Sequence, residues 1–561
     1  MSDQEIRVCD WIASFLADKD VPAAFHLSGG MITFIMDSIA TLGKTPIINN
    51  RHEQAAGFAA EAATRVTGRS AVALATSGPG ATNLLTAIAS SYFDSTPTIF
   101  ITGQVNTAEI RINSHQRQNG FQELDIVEMV KGITKYATSI KNASEVEDTF
   151  ETAWSIANNG RPGPVLIDIP IDVQQKNMPE FDRQRIDSYE STTDATDFIN
   201  RLQEALKLSK KPLVVLGGGV KITHSESLAL EILEKMNVPF VTSLMGVGSI
   251  ESSHPLNAGM LGSYGNRWAN RAVAQADLLI VLSSRLDVRQ TGSSIDDFID
   301  GKIIFRVDVD EHELNGRVPS TYILKTELKI FLLQLQKINT FEYAGAFKSA
   351  IDEWKNEFPQ ANEQLITEGL NPSNAVELIS KKFHFAKGFI SDVGQHQMWA
   401  AQSCAIGPNQ QFHTSGGMGA MGFSIPAAIG AAIASPGTWV VFIGDGCMQL
   451  TLGELQTIKD LNLPISIFVF NNNQHGMVAQ FQESNLDSRY IGTRVGYSTP
   501  DFVRVAKSIG INALHVSSLE SLILILESIK PDAGPRLYEL AIPIDAKALP
   551  KMDYKSSILD L

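Results

Sequence analysis

The sequence predicts an α/β protein made of three doubly wound domains, each built around a parallel sheet. Short apolar, β-branched runs of the kind found in fully buried strands alternate with helical runs, a pattern typical of parallel strands covered by helices on both faces. The chain has 561 residues, which is too many for one hydrophobic core. Two polar stretches without apolar periodicity divide the alternation into three blocks.

The first block is residues 1–175, in which strand-like runs at 70–76, 97–103 and 164–170 alternate with helical runs. A polar stretch at 174–197 follows it. Because this stretch contains no apolar repeat, we interpret it as a linker.

The second block is residues 195–338. It opens with the apolar run and three glycines of 211–222, and continues through the runs at 276–292 and 303–314. This alternation predicts a second, smaller α/β domain.

The third block is residues 365–545, with strand-like runs at 388–394, 438–446 and 464–473. Residues 546–561 form a separate C-terminal tail in this interpretation. The rhythm of strands and helices resembles that of the first block and predicts a third parallel sheet.

Composition excludes several classes of function. The net charge of −15 argues against nucleic acid or an anionic membrane as a partner, since both require a basic surface. The three cysteines, Cys9, Cys404 and Cys447, are far apart and predict neither a disulfide framework nor a zinc site. The amino terminus has no leader-like pattern, and no apolar window approaches the roughly 18 residues of a membrane helix. We therefore expect a cytoplasmic protein.

Polar residues end two neighbouring strands of the third block. Asp445 follows one strand and Asn472 follows the next, with a strand-helix-strand crossover between them. Parallel strands present their carboxyl ends at one sheet edge, so the two side chains are expected to lie together. With the main-chain carbonyl of Gln474 they form a hard-oxygen set suited to Mg²⁺ and a diphosphate. Gly444 and Gly446 would let phosphate oxygens approach the backbone.

A GDG motif followed, one βα unit later, by paired asparagines resembles the thiamine diphosphate (ThDP) enzymes. The resemblance covers nearly the whole chain: RHEQAAGFAAEA, SGPGATN, FQELDIVE, RPGPVLIDIP, TSLMGVG, DVGQHQMWAAQ and TSGGMGAMGFSIPAAIGAA occur in the order of the acetohydroxyacid synthase branch. It implies a pyrimidine-binding, a middle FAD-type and a diphosphate-binding domain. It also implies a homodimer or homotetramer with shared active sites.

The resemblance gives a role to Glu53, which stands where a β-branched run passes into an alanine-rich helix. In the family, a glutamate of the first domain hydrogen-bonds the aminopyrimidine ring and favours the tautomer that accepts the thiazolium C2 proton. A carboxylate in an apolar wall is suited to sharing that proton. The alternative is a helix N-terminal residue that interacts with the macrodipole.

Other residues match positions around the cofactor. Met421 matches the bulky side chain that holds ThDP in a bent conformation, although a core methionine would look the same. Gln395 and His396 match residues that contact the diphosphate. The remaining assignments are Gly419 and Met477 at the cofactor, and Gly30, Phe121 and Gln122 in the reaction pocket.

The middle domain resembles those that hold FAD, in which the flavin is largely structural. The residues that match are Gly217, Gly218, Arg285, Arg289 and Asp308. Three glycines in a row are weak support for a nucleotide site by themselves. Relatives with this domain can also lack the flavin or bind another nucleotide.

The departures from the family concern the second substrate. Where a synthase that joins two 2-keto acids has a lysine, a Met-His pair and a tryptophan, this chain has Ile171, Ser263 with Tyr264, and Phe481. Val478 belongs to the same expected pocket. These replacements predict intact activation of the donor and a rebuilt acceptor pocket.

Two further differences lie nearby. Arg289 remains at the arginine position associated with the acceptor carboxylate, but its acidic neighbour is replaced by Val288. The segment between Gln104 and Phe121 is longer than usual by about six residues.

These observations lead to one main hypothesis: a ThDP- and Mg²⁺-dependent carboligase that decarboxylates pyruvate and transfers the two-carbon acetyl (hydroxyethyl) unit to a carbonyl acceptor. The expected acceptor is a ketone or a nucleotide-linked 4-keto sugar, as in the flavin-containing carboligases of branched-sugar (yersiniose-type) synthesis. One alternative is an acetolactate synthase, and another is a noncatalytic binding protein with the ThDP fold.

Overall fold

The computed structural model describes residues 6–552 except 112, 114, 179–192, 338–342, 344, 365, 367 and 532. The described strands form three six-stranded sheets. Neighbouring strands in all three sheets are parallel. The predicted α/β class with three parallel-sheet domains is confirmed.

The first domain has the strand order β2-β1-β3-β4-β6-β5. Its strands are β1 (Ala24–His26), β2 (Ile47–Asn49), β3 (Val72–Ala75), β4 (Ile99–Gln104), β5 (Tyr136–Ser139) and β6 (Val165–Pro170). Its helices are α1 (Val8–Asp18), α2 (Thr33–Leu42), α3 (Glu53–Thr67), α4 (Pro79–Asn83), α5 (Leu85–Phe93), α6 (Ile126–Val130), α7 (Val146–Asn158) and α8 (Ile171–Gln174).

The middle domain has the order β12-β11-β10-β7-β8-β9. Its strands are β7 (Pro212–Leu216), β8 (Phe240–Thr242), β9 (Asn257–Met260), β10 (Leu278–Leu282), β11 (Ile303–Asp308) and β12 (Tyr322–Lys325). Its helices, with two that lead into the third domain, are α9 (Thr196–Leu208), α10 (Gly219–Ile222), α11 (Glu226–Met236), α12 (Arg267–Gln275), α13 (Val288–Thr291), α14 (Ile295–Ile299), α15 (Glu311–Leu314), α16 (Leu328–Gln336), α17 (Ala346–Glu357) and α18 (Gln360–Glu363).

The third domain has the order β14-β13-β15-β16-β18-β17. Its strands are β13 (Gly388–Ser391), β14 (Gln411–Thr414), β15 (Trp439–Gly444), β16 (Ile465–Asn471), β17 (Asn512–Val516) and β18 (Arg536–Ala541). Its helices are α19 (Pro372–Lys382), α20 (Gln395–Ser403), α21 (Ser424–Ala434), α22 (Asp445–Leu450), α23 (Glu454–Asp460), α24 (Gly476–Asn485), α25 (Phe502–Ser508) and α26 (Leu519–Ser528).

The segment between Asp445 and Asn472 differs from the sequence interpretation. We expected one helix there, but the structure has two, α22 and α23. The first of them begins at Asp445 itself, so the GDG motif forms the strand end and the first helical turn together. The carboxylate is therefore held by a helix as well as by the end of β15.

Helices α3 and α21 join the first and third domains. Phe58 and Phe423 meet edge to face with ring centroids 5.4 Å apart. A Cβ on Gly430 would lie 1.9 Å from the Ala59 carbonyl oxygen, so only glycine permits this approach of the two backbones. Side chains from both domains consequently belong to one buried core.

The predicted linker and tail are described only in part. Of the linker, residues 179–192 lie outside the described residues, as do residues 553–561 of the tail. The described tail packs on the third domain, where Gln480 exchanges two hydrogen bonds with the backbone of Ala548. In the described part of the chain, no helix is both long enough and apolar enough to cross a bilayer.

Candidate active site

Asp445 occupies the carboxyl edge of the third sheet. It follows β15, which pairs with β16 up to the Gly444 and Phe470 positions, so the two strand ends lie side by side. The buried Asp445 carboxylate accepts the backbone N–H of Gly446 (3.0 Å) and of Gln474 (3.2 Å). Burial raises its pKa to about 6, and a bound divalent cation would restore the ionised form. The group is thus suited to holding a metal ion.

Asn472 lies beside it with its amide oriented by a neighbour. The Asn472 amide nitrogen donates to Gln395 Oε1 (3.0 Å), which leaves the amide oxygen as the group available to a cation. Gln474 uses its side chain elsewhere, accepting from Arg494 Nε (2.6 Å) and donating to the Ile544 carbonyl (2.5 Å). Its main-chain carbonyl remains the candidate ligand. These three oxygens fit the hard-oxygen preference of Mg²⁺.

Glycines keep the space next to Asp445 open. A Cβ on Gly444 would lie 2.7 Å from the His396 ring, and one on Gly446 would lie 2.7 Å from the His475 ring. The same Cβ on Gly446 would be 3.4 Å from the Met421 methyl group, so Met421 covers this turn. Larger residues would fill the cradle, which fits the close approach of a diphosphate.

His396 is a second group suited to a phosphate ligand. Its ring is buried, and Nε2 has no hydrogen-bond partner among the described residues. Burial lowers its pKa to about 4, so the imidazole is neutral. Buried polar atoms are nearly always satisfied, and a phosphate oxygen would supply the partner. By contrast, Gln395 Nε2 has partners within the chain, since it donates to Gln480 Oε1 (3.1 Å) and to the Ala546 carbonyl (2.9 Å).

Glu53 begins α3 in the first domain and is only 6% exposed. Its Oε2 accepts from Asn83 Nδ2 (2.9 Å), and a Cβ on Gly80 would lie 3.2 Å from Oε1. The same turn touches the reaction-pocket residues, since a Cβ on Gly78 would meet Gln122 Cβ at 2.9 Å. Gln122 has φ +66°, an uncommon conformation that fixes this approach.

The other reaction-pocket and cofactor assignments lie on exposed or half-buried turns. Phe121 is 81% exposed beside Gln122. Gly30 begins a short 3-10 turn, and a Cβ there would meet open space. Gly419 has φ +64°, in the left-handed region that favours glycine, two residues before Met421. Met477 lies in the first turn of α24, close to Gln474 in the chain.

A cavity of about 450 Å³ lies where the three domains meet. Its walls include four of the residues assigned to a flavin, namely Gly218, Arg285, Arg289 and Asp308. The fifth, Gly217, lies behind them, where a Cβ would be 1.9 Å from the Ser283 carbonyl oxygen. The volume falls within the roughly 300–1,000 Å³ of cofactor sites. Glycines, arginines and the half-buried carboxylate of Asp308 fit a dinucleotide.

The expected acceptor residues occupy three places. Ser263 and Tyr264 line this cavity, and Ser263 N donates to the Arg289 carbonyl (2.6 Å). Ile171 is the first residue of α8 and is half-buried. Val478 and Phe481 lie on α24, with 52% and 58% of their surfaces exposed. The single chain does not gather these five into one pocket.

Sequence reasoning missed Asp392. This fully buried carboxylate accepts from the backbone N–H of Gly422 (2.9 Å) and Ser424 (2.8 Å) and from the Ser424 hydroxyl (2.7 Å). It thereby fixes the turn that carries Met421. Its position just after β13, at the same sheet edge as Asp445, is the signal that could have revealed it.

Tyr497 was also missed. Its hydroxyl is hydrogen-bonded with Asp445 and accepts from Gln449 Nε2 (3.1 Å), and burial raises its pKa. No strand end or motif marks this residue in the sequence. Its contact with Asp445 is seen only in the folded structure.

An oxygen set and a glycine cradle at a parallel-sheet edge, with a buried glutamate on a separate domain, fit the features expected of a thiamine diphosphate-dependent enzyme. Three family models match the chain: the N-terminal TPP binding domain over residues 6–129, the central domain over 199–335 and the C-terminal TPP binding domain over 392–539. The chain therefore belongs to the thiamine pyrophosphate enzyme family, and it is an acetolactate synthase-like member that forms C–C bonds.

Curated relatives agree over nearly the full length. The acetolactate synthase large subunit of Cyanidium caldarium is 35% identical, with 96% of this chain and 94% of that protein aligned. Acetolactate synthase 2 of Zea mays is also 35% identical, with 94% of this chain and 85% of that protein aligned. The isozyme 2 large subunit of Escherichia coli is 32% identical, covering 95% of each.

Proposed function

We propose that this enzyme decarboxylates pyruvate and transfers the two-carbon acetyl unit to a ketone, specifically a nucleotide-linked 4-keto sugar or a related carbonyl compound. One observation carries the proposal. The residue types expected to activate the donor are present in the sequence, whereas two of the positions expected to bind a second 2-keto acid hold Ile171 and Phe481 in place of a lysine and a tryptophan. Neither side chain offers a positive charge or a hydrogen bond to a carboxylate.

ThDP, when bound, supplies the thiazolium carbon that attacks the pyruvate carbonyl and accepts electrons as carbon dioxide leaves. Asp445, Asn472 and the Gln474 carbonyl would hold the Mg²⁺ that neutralises the diphosphate. Glu53 would share a proton with the aminopyrimidine ring, with Asn83 holding its second oxygen (2.9 Å). Met421 would support the bent cofactor from the Gly446 side.

Three of the side chains expected around the acceptor are apolar and exposed. Phe121, Val478 and Phe481 expose 81%, 52% and 58% of their surfaces. Glu53 contacts Asn83 and Gly80 of its own domain. A second copy of the chain would cover these apolar residues and complete each site, so the active unit is a homodimer or a dimer of dimers. FAD would occupy the cavity between the domains in a structural role.

The deciding experiment is mass-spectrometric product analysis with labelled pyruvate, ThDP, Mg²⁺ and FAD, with and without a panel of ketones, 2-ketobutyrate and a nucleotide-linked 4-keto sugar. A labelled two-carbon unit on the ketone or sugar, with slow acetolactate formation, supports the proposal. Acetolactate as the dominant product in every mixture would overturn it.

Acetolactate synthase is the second candidate. Its support is that the curated relatives carry this name at 32–35% identity over nearly the full chain. Arg289, which remains at the position associated with the acceptor carboxylate, also favours it. The same product analysis separates the two.

A further inference from the structure

Lys221 lines the cavity between the three domains, on the short helix α10 that begins at Gly219. Its ammonium donates to the carbonyl of Val247 (3.1 Å) in the middle domain and to that of Phe412 in the third domain. An ammonium has three N–H donors, and no described residue accepts the third. The side chain is therefore fixed at the cavity wall with one donor left over.

The charge of Lys221 also has no carboxylate bonded to it within the described part of the chain. Other cations of the cavity wall have such partners. Arg65 donates to Asp94 (2.7 Å), and Arg161 donates to Glu313 (2.8 Å). Withdrawing a cation from water without a counter-ion is costly. An anion bound in the cavity would supply the missing partner.

The wall next to Lys221 is suited to phosphate. Gly218 and Gly219 line the cavity directly before Lys221 in the chain. Because glycine has no side chain, a ligand can approach the backbone closely at these two positions. Lysine is a common phosphate ligand, which it binds as a point charge. The chemical class of the missing anion is therefore a phosphate ester.

We propose that Lys221 binds the pyrophosphate of the dinucleotide in this cavity through the donor that the protein leaves over. The inference rests on the proposed binding of FAD at this site. The pyrophosphate is the anionic part of FAD, since the flavin and adenine rings of the oxidised cofactor are neutral. Lys221 then joins three partners at one point: the middle domain, the third domain and the ligand.

Charged and titratable side chains from all three domains surround Lys221. They are Arg65 and Asp94 of the first domain, His224 and Glu226 of the middle domain, and His413 of the third domain. Burial, assisted by the charge of Arg65, lowers the pKa of Lys221 to about 7, so the side chain is mostly neutral at pH 8. A bound pyrophosphate would favour the ammonium and raise this pKa. Burial also raises the pKa of Glu61, which is bonded to Arg65, to about 7, so a Lys221 variant is needed to assign a proton.

The first test is calorimetric titration of FAD into enzyme that has been freed of bound flavin and saturated with ThDP and Mg²⁺. Lys221→Met keeps the length of the side chain but removes its charge and donors, so it should weaken FAD binding at least tenfold at pH 7. Lys235→Met, whose lysine is paired with Glu231 on α11, is the matched control and should bind like wild type. Wild-type affinity in Lys221→Met would overturn the inference.

Proton uptake gives a test on wild type itself. Titration at pH 8 in two buffers of different ionisation enthalpy should show uptake of about half a proton or more per FAD. The affinity of wild type for FAD should also fall at least fivefold from pH 7 to pH 9, because the ammonium is the form that binds. Both effects should be absent from Lys221→Met. No uptake by wild type, or equal uptake by the two proteins, contradicts the role of Lys221.

Two smaller ligands separate a phosphate contact from a loss of domain packing. ADP has the pyrophosphate without the flavin, and riboflavin has the flavin without the phosphates. Lys221→Met should weaken ADP binding as it weakens FAD binding, and it should leave riboflavin binding unchanged. Equal losses for ADP and riboflavin would mean that the variant only disturbs the junction, which would overturn the inference.

The outcomes also separate this inference from the proposed function. If ADP binds through Lys221 and FAD does not bind, the phosphate site stands and the flavin assignment fails. If FAD binds equally to wild type and Lys221→Met while labelled pyruvate is transferred to a ketone, the inference fails and the proposed function stands.

Discussion

Glu454 of the third domain reaches across to the first domain, where its Oε1 lies 2.6 Å from the backbone nitrogen of Arg51. Its other oxygen accepts from Asn50 Nδ2 (3.1 Å), and Asn50 is fully buried. Asn50 and Arg51 lie three and two residues before Glu53 in the chain. The start of α3 is consequently fixed from outside its own domain.

This contact predicts that Glu454→Ala lowers both stability and turnover. Two donors lose their acceptor, and the buried Asn50 amide, left unsatisfied, costs about 1–3 kcal/mol, whereas the exposed Arg51 can bond to water. Glu454→Gln should be milder, because its amide oxygen still accepts from Arg51. Thermal unfolding and kcat are the measurements. Glu128→Ala, with a side chain 67% exposed, is the control, and equal behaviour of the two alanine variants would contradict the prediction.

Glu53→Gln should reduce turnover by about 10²–10⁴-fold, the usual contribution of a general acid or base. The amide keeps the shape of the side chain, so ThDP binding and the unfolding temperature should change little. Steady-state kinetics and calorimetric ThDP titration test both points. Glu377→Gln, on the exposed face of α19, should behave like wild type. Unchanged turnover in Glu53→Gln would remove the proton-sharing role.

Asp445→Asn should raise the Mg²⁺ concentration needed to retain ThDP by at least tenfold. The substitution removes the negative charge of the proposed ligand set, and Mg²⁺ binds carboxylate more strongly than amide oxygen. ThDP titration at several Mg²⁺ concentrations measures the effect. Asp487→Asn, with a side chain 92% exposed, is the matched control. An identical Mg²⁺ dependence would show that Asp445 is not a ligand.

The residues at the sheet edge could be predicted from the sequence, whereas the side-chain contacts around them could not. Asp445 and Asn472 could be placed together because each follows a buried strand, and parallel strands end at one edge. Gln395 and Gln474 show the limit. Their side-chain amides donate to the backbone carbonyls of Ala546, in the tail, and of Ile544, just before it. Every residue has a backbone carbonyl, so the sequence does not single out these two. No sequence pattern announces such a partner.

The pKa of a side chain depends on its burial in the folded protein, which the local sequence does not reveal. Lys221 lies two residues after the three glycines at 217–219 and resembles an ordinary surface lysine in the sequence. In the structure it donates to the carbonyls of Val247 (3.1 Å) and Phe412, and so joins the middle and third domains. Burial lowers its pKa to about 7. The pKa shift of Lys221 arises only where the middle and third domains pack together.

The shift predicts how stability depends on pH. Between pH 7 and the ordinary lysine pKa of about 10.5, the unfolded chain binds the Lys221 proton more tightly than the folded chain does. The contribution of Lys221 to the free energy of unfolding therefore increases as pH rises above 7. The unfolding temperature of wild type minus that of Lys221→Met should increase from pH 6 to pH 9. Lys381→Met, with a side chain 62% exposed, should give a constant difference. Parallel curves for wild type and Lys221→Met would contradict the assignment.

The replaced acceptor positions can be reversed. Ile171→Lys and Phe481→Trp restore the residue types expected in a synthase that joins two 2-keto acids. Ile171 is half-buried at the start of α8 and Phe481 is 58% exposed on α24, so both sites can accept larger side chains. A lysine would attract the carboxylate of a second pyruvate, and an indole would narrow the opening used by a bulky ketone.

The double variant should form at least tenfold more acetolactate relative to acetylated ketone when both acceptors compete for labelled pyruvate. Leu524→Trp, at a position 68% exposed on α26, controls for adding an indole elsewhere. An unchanged product ratio would mean that these two positions do not select the acceptor.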